Sequence, residues 1–440
     1  MINRRYFSDC SDWGCDIHGR DEAQRVVSRR GFMKGGALAL VGTSAIPAFL
    51  SRSVLAEVTT AAANKKKLVV LFQRGAVDGL NVVVPYKEKN YYSMRPSIAI
   101  QEKDVLDLNG FFGLHPGMAA MKPLYDQGHL AVIHAAGSPD TTRSHFDAQD
   151  YMESGTPGVK STEDGWLNRA LQAEAVTGKQ SAFRAVALGT QVPRTLQGKL
   201  PAIAVSNLAD FSVGGKGPNT SPISNAFQAM YDESTDAMLH GTGQETFEAV
   251  KMLKAADPAH YQPAAGVVYP NTPFGNSLKQ VAQLLKANLG VEAAFSDIGG
   301  WDTHQNQGNV NGQLANRLKE FSETIAAFWR DMGDDAENVT LVTMSEFGRT
   351  ARQNGTGGTD HGHANAMFVL GGQVKGGKVY GRWPGLANEQ LNEGRDLAVT
   401  TDFRRVLGEA AYRTLGSRNL DLVFPGAQVN PGGFLNFSEA

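Results

Sequence analysis

Two short runs in the last third of the chain concentrate the side chains best suited to holding a cation. They are Gly300-Trp301-Asp302-Thr303-His304 and Gly358-Thr359-Asp360-His361-Gly362-His363. Each sets carboxylate and imidazole close together among glycine and threonine, and a loop needs no helical spacing to turn both toward one ion. Three of the ten histidines fall in these runs. The same residue types also cap helices and make turn hydrogen bonds. The case for a metal site therefore rests on the two runs meeting, since a site draws its ligands from several loops.

The elements that must position them read as alternating strands and helices. Residues 68–72 form a continuous apolar run, a buried strand that empties into Arg74-Gly75-Ala76-Val77-Asp78-Gly79. Residues 130–136 repeat the pattern and end in a polar segment, Gly137 to His145, before a helix toward Met152. Strands at 293–298 and 339–344 precede the first run and Ser345-Glu346-Phe347-Gly348-Arg349, and a short strand at 367–370 follows the second run. Helical stretches fill 276–288, 311–332 and 402–415. In the second of these, Leu314, Leu318, Phe321, Ile325 and Phe328 recur three and four apart, as core packing requires. The expected class is α/β, a mostly parallel central sheet flanked by helices. Loops at the C-terminal edge of such a sheet share one crevice, so Asp78, the 141–145 segment, Asp302, His304 and Glu346 are expected to meet.

The N-terminus predicts where the protein works. Ser28-Arg29-Arg30-Gly31-Phe32-Met33-Lys34 precedes an apolar stretch at 35–50, and Val54-Leu55-Ala56 offers small residues for cleavage, which together read as a twin-arginine signal over residues 1–56. The stretch falls short of the roughly 20 residues that span a bilayer and contains Pro47. A removable leader, the twin-arginine translocase as partner, no stable membrane span after cleavage and a periplasmic or extracellular location follow. Cys10 and Cys15, the only two cysteines, lie in this leader, so disulfides do not stabilise the rest. Outside it stand 34 basic and 39 acidic residues, a mild balance that implies no nucleic-acid surface. Residues 57–440 suffice for one large α/β domain. The segment near 199–260, rich in Gly, Ser and Asn and without a motif, reads as a cap or insertion.

Five ordered motifs carry a resemblance across nearly all of that domain: residues 74–86 (RGAVDGLNVVVPY), 143–149 (RSHFDAQ), Gly300 to His304, Ser345 to Arg349, and Gly358 to His363. Together they resemble the uncharacterised family catalogued as domain of unknown function 1501, itself similar to the alkaline phosphatase and sulfatase superfamily. That superfamily implies an alkaline phosphatase-like α/β fold, commonly two divalent metal ions, and hydrolysis of phosphate or sulfate esters of small molecules or glycans. On its template Asp302 and His304 resemble the ligands of one metal, with His363 as a third. Asp78, Asp360 and His361 would serve the other, Glu346 would join either, and zinc, manganese or calcium would be the ion. The nucleophile would stand at a helix N-terminus. Thr141, Thr142 and Ser144 qualify, with Arg143 as an oxyanion clamp and His145 as ligand or base. A helix cap is the plain alternative for each hydroxyl. The formylglycine pattern of sulfatases, Cys or Ser with Pro two and Arg four positions on, fails at Ser138, where Pro139 is adjacent and Arg143 is five on. A different class of function, a non-catalytic envelope binding or scaffold protein that keeps the fold, would share the leader, the sheet and some ligands.

Overall fold

The strand at the middle of the molecule is KLVVLFQ, β1 (Lys67–Gln73), whose every residue is buried. Val69 and Leu71 face one core cluster while Leu68, Val70 and Phe72 face another, so the strand is covered on both sides and needs an apolar residue at every position. The structure, a computed structural model, describes residues 65–173, 181, 183–208 and 260–430. The expected leader with Arg29, Arg30 and both cysteines, and residues 209–259 of the expected cap, lie outside the described residues.

The main sheet has nine strands. The others are β2 (Leu130–Gly137), β3 (Ala185–Leu188), β4 (Ile203–Val205), β5 (Ala293–Ile298), β6 (Val339–Met344), β7 (Asn365–Gly371), β8 (Lys378–Tyr380) and β9 (Thr401–Asp402). Their order is β8-β2-β7-β6-β1-β5-β3-β4, with β9 also paired to β2. Every pairing is parallel except those of β7, which runs against both β2 and β6. Because β7 is reversed, the loop that enters it arrives at the edge where β1, β2, β5 and β6 end. A cluster that precedes a strand thus joins clusters that follow strands.

Helices cover both faces. On one side lie α3 (Pro273–Lys286) and α4 (Gln313–Met332), the latter burying the expected stripe Leu314, Leu318, Phe321, Ile325 and Phe328. The other side carries α1 (His145–Ser154), α2 (Trp166–Gln172) and α5 (Phe403–Leu415), through Met152, Trp166, Leu167, Phe403 and Val406. The expected α/β class with a mostly parallel sheet is the observed one. A small antiparallel sheet, Val83–Val84 with Gly113–Leu114 and Leu106–Asp107, adjoins it. Among the described residues no helix is long and apolar enough to cross a membrane.

Candidate metal centre

The two His-containing runs meet backbone to backbone. Asn306 N donates to Thr356 O at 3.0 Å, Gln307 N to Gly357 O at 2.9 Å and Thr359 N to Thr303 O at 3.1 Å. Gly358 makes this approach possible, because a Cβ there would lie 2.2 Å from the His304 carbonyl carbon. The loop after β2 joins them through the carbonyl of Arg143, 2.9 Å from His361 Nδ1. Ser144 caps α1, its hydroxyl accepting from Asp147 N at 3.5 Å, and so places His145 at the first position of the helix.

The donor atoms form two triangles with a common edge. Asp302 Oδ1 lies 3.0 Å from His304 Nε2 and 3.4 Å from His361 Nε2, and the two nitrogens are 3.0 Å apart. On the other side His145 Nε2 lies 3.6 Å from Asp302 Oδ2, and His145, Asp302 and His361 offer ligand atoms that all fall within 4.8 Å of one another. Each ring is oriented through its other nitrogen. His145 Nδ1 faces Glu346 Oε1 at 2.8 Å, His304 Nδ1 faces Asp360 Oδ1 at 3.0 Å, and His361 Nδ1 faces the Arg143 carbonyl. A carbonyl or an ionised carboxylate only accepts, so each Nδ1 carries the proton and each Nε2 of a neutral ring points a lone pair inward. Two lone pairs 3.0 Å apart repel unless a proton or a cation lies between them. The buried His145 Nε2 has no hydrogen-bond partner among the described residues.

These features fit a divalent cation. Tetrahedral bonds of about 2.0–2.1 Å place neighbouring donors roughly 3.3 Å apart, close to the separations around Asp302 Oδ1. Either triangle, two imidazoles and one carboxylate, suits zinc better than calcium, which prefers an oxygen shell. About half of the Asp302 side chain is exposed, which leaves the cluster open to solvent.

The electrostatics keep the carboxylates ionised. Burial would raise Asp302, but the hydrogen bond and charge of Arg349, aided by His304 and His145, hold it below the usual range. Glu346, pushed up by burial, is brought down further by donors from His145, its own backbone, Gln149 and Gly75. Asp360 is lowered first by Asn354. The Glu346 hydrogen bond raises His145, whereas burial lowers His361.

The model of the family described as Protein of unknown function (DUF1501) matches residues 65–420. The chain belongs to the DUF1501 family. No curated protein matches it. Among solved structures, the PsFucS1 sulfatase from Pseudoalteromonas sp. is 13% identical, with 90% of this chain and 78% of that chain covered at a TM-score of 0.37. The C-terminal periplasmic domain of EcEptC from Escherichia coli, in complex with Zn, is 10% identical with 70% and 74% covered at 0.33. Alkaline phosphatase from the Antarctic bacterium TAB5 is 12% identical with 70% and 91% covered at 0.26. Residue roles in this DUF1501 chain rest on its own geometry.

That geometry brings together two donor triangles that share Asp302 and His361, and it leaves several residues of the superfamily template outside them. Asp302 and His361 meet His304 on one side and His145 on the other. Asp78 is sealed elsewhere: its Oδ2 takes Arg95 Nη1 and Gln307 Nε2, each at 2.7 Å. Glu346 is spent on orientation, with Oε1 accepting from Gly75 N, His145 and Gln149 and Oε2 from Ser345 Oγ. Asp360 stands behind His304, and His363 Nε2 is 2.9 Å from the Ser138 carbonyl. The clamp expected of Arg143 is also corrected, because its guanidinium pairs with Asp396 at 2.6 Å and Glu393 at 2.7 Å. Thr142 Oγ1 accepts from Ser144 N at 3.3 Å, and Thr141 is exposed. Arg349 is the residue whose role the motifs did not suggest. Fully buried, it donates to Gly75 O, Ala76 O, Trp301 O, Thr359 O and Asp302 Oδ1, the last at 2.5 Å. An arginine ending an acidic loop motif was the available signal, but its acceptors are mostly backbone carbonyls that no motif names.

Proposed function

We propose that this protein is an exported, metal-dependent hydrolase of phosphate or sulfate esters, with a small-molecule or glycan ester as substrate. The observation that carries the reading is the convergence of three Nε2 lone pairs on Asp302, each ring fixed by an acceptor on its Nδ1. Asp302 and His361 would hold the cation together with His304 or His145. When bound, it would supply Lewis-acid charge to the oxygens of the transferring group and lower the pKa of an oxygen nucleophile. The chain's own residues do the rest. Glu346, Asp360 and the Arg143 carbonyl hold protons on the outer ring nitrogens, and Arg349 holds Asp302 ionised. Ser144, next to His145 and with its hydroxyl engaged among the described residues only by a long cap bond, is the proposed nucleophile. The proposed route is the twin-arginine translocase reading Arg29 and Arg30, with release of residues 1–56. Ile203–Val205 belongs to the main sheet, so the expected cap is narrowed to residues 209–259, which would shape substrate choice.

The test is turnover of a panel of activated phosphate and sulfate esters by exported protein before and after chelation. Chelation is expected to abolish turnover and zinc to restore it. Ser144→Ala is expected to keep its metal and lose most of its rate, with Thr142→Ala largely active. Metal-replete protein inert on the whole panel would overturn the hydrolase reading and favour a binding or scaffold role.

A further inference from the structure

Behind the donor cluster lies a buried chain of polar side chains that touches no proposed ligand atom. Gln307 is its centre. Its Oε1 accepts from Thr303 Oγ1 at 2.8 Å and from Thr359 Oγ1 at 3.0 Å, one hydroxyl from each of the two His-containing loops. Its Nε2 donates to Asp78 Oδ2 at 2.7 Å. Asp78 is in turn held by Arg95, whose guanidinium also donates to Asn81 Oδ1, Thr350 O and Ala351 O. Tyr91 donates to the same Asn81 oxygen at 2.7 Å. Gln307, Thr303, Thr359, Asp78, Asn81 and Arg95 are all 2% exposed or less.

From this we infer that Gln307 is a positioning residue for the metal centre: a strut that sets the two ligand loops at one height and fixes the pair to the loop leaving β1. The backbone bonds between the loops tie them to each other. Gln307 ties that pair to the rest of the fold, through the two threonines on one side and Asp78 on the other. Thr303 sits between Asp302 and His304, and Thr359 precedes Asp360 and His361. A shift at either hydroxyl therefore moves two proposed site residues together. The chemistry explains the choice of glutamine. The strut must accept two hydroxyl protons at one end and donate to a carboxylate at the other, and a primary amide does both without adding charge. Asp78, read from the sequence as a ligand, becomes the anchor, and Arg95 supplies the positive charge opposite it that a metal would otherwise have supplied.

The strut rests on the metal-centre reading for its effect on metal affinity, but not for its effect on the loops, and two readouts separate these. The first is zinc affinity by competition with a chromophoric chelator for wild type, Gln307→Leu and the milder Thr359→Val. Gln307→Leu is expected to weaken zinc by roughly 3–10-fold, below the cost of losing a partner bonded directly to a ligand. The losses for Gln307→Leu and Thr359→Val should not multiply, because they remove one shared contact, whereas Gln307→Leu and Glu346→Gln should multiply. The second readout is hydrogen exchange of the metal-free proteins, in which the amides of Asn306, Gln307 and Thr359 should speed up together by a few-fold to about tenfold in Gln307→Leu. Zinc affinity within twofold of wild type, or exchange that rises throughout the protein rather than in these loops, overturns the strut. A wild type that binds no zinc sinks the metal-centre reading, and the exchange pattern then decides the strut alone.

Discussion

Two groups of histidines in this chain spend their ring nitrogens in opposite ways. His115 and His134 sit in the core, where Nδ1 accepts a backbone N–H, from Gly117 and Ala135, and Nε2 faces a backbone carbonyl, of Asn309 and Val83. Both nitrogens are satisfied, and His134 is further packed between Phe112 and Trp383. At the C-terminal edge of the sheet, His145, His304 and His361 give Nδ1 to an oxygen acceptor and turn Nε2 toward one another. A histidine's neighbours on one nitrogen thus decide what the other can do. A ring closed at both ends is a structural part. One closed only at Nδ1 is a ligand in waiting.

The comparison predicts a separation of effects. Largest is His361→Ala, which opens the edge that both donor triangles share. Zinc affinity is expected to fall by more than the roughly 100-fold upper range for an outer-shell partner, and turnover to vanish, with the unfolding midpoint of chelated protein little changed. A variant that still binds zinc tightly would break the distinction between the two groups.

His134 makes the opposite prediction. Burial pushes its pKa down from 6.5 to about 4, so the neutral ring is the one the fold accommodates. The unfolded chain binds more protons between those values. The stabilisation is therefore complete above about pH 6.5 and is lost as pH falls toward 4, by up to about 3 kcal/mol. Urea melts at pH 7 and 4.5 measure it. His134→Phe should flatten that pH dependence and leave zinc content unchanged.

Next in size is Glu346→Gln, which weakens the acceptor that fixes His145. Zinc affinity is expected to drop roughly 10–100-fold while the protein stays folded. Isothermal titration reads the change directly. Smallest is His363→Gln. The ring looks like a ligand in the sequence, yet its Nε2 faces the Ser138 carbonyl, its buried Nδ1 has no hydrogen-bond partner among the described residues, and neither donor triangle includes it. Zinc affinity should stay within about twofold, and stability should fall by about 1 kcal/mol for the one bond disturbed. A hundredfold loss of zinc would move His363 into the donor group and revise the site.

Much of the scaffold was legible because its period is local. The strands at 293–298 and 339–344 read from the sequence are β5 and β6 with the same bounds, and the α4 stripe is buried as its spacing required. Both patterns arise from burial on two faces or on one, which composition over a few residues records. The short strands β3 and β4, with four and three residues, were not singled out, since runs of that length carry too little pattern. The reversal of β7 left no local trace either, because strand direction depends on where the chain enters the sheet.

The amino-acid sequence alone set which chemistry was available: carboxylates and imidazoles in two loops, and buried strands to carry most of the clusters. Only the tertiary structure decided how those groups were used. It paired Asp78 with Arg95 and Gln307, closed Arg143 onto Asp396 and Glu393, spent Glu346 on orientation and brought His145 to Asp302. The physical reason is that a ligand is defined by an unspent lone pair. For Asp78, Arg143 and His145 the deciding partners lie 17 to 253 residues away, which no spacing within a motif encodes.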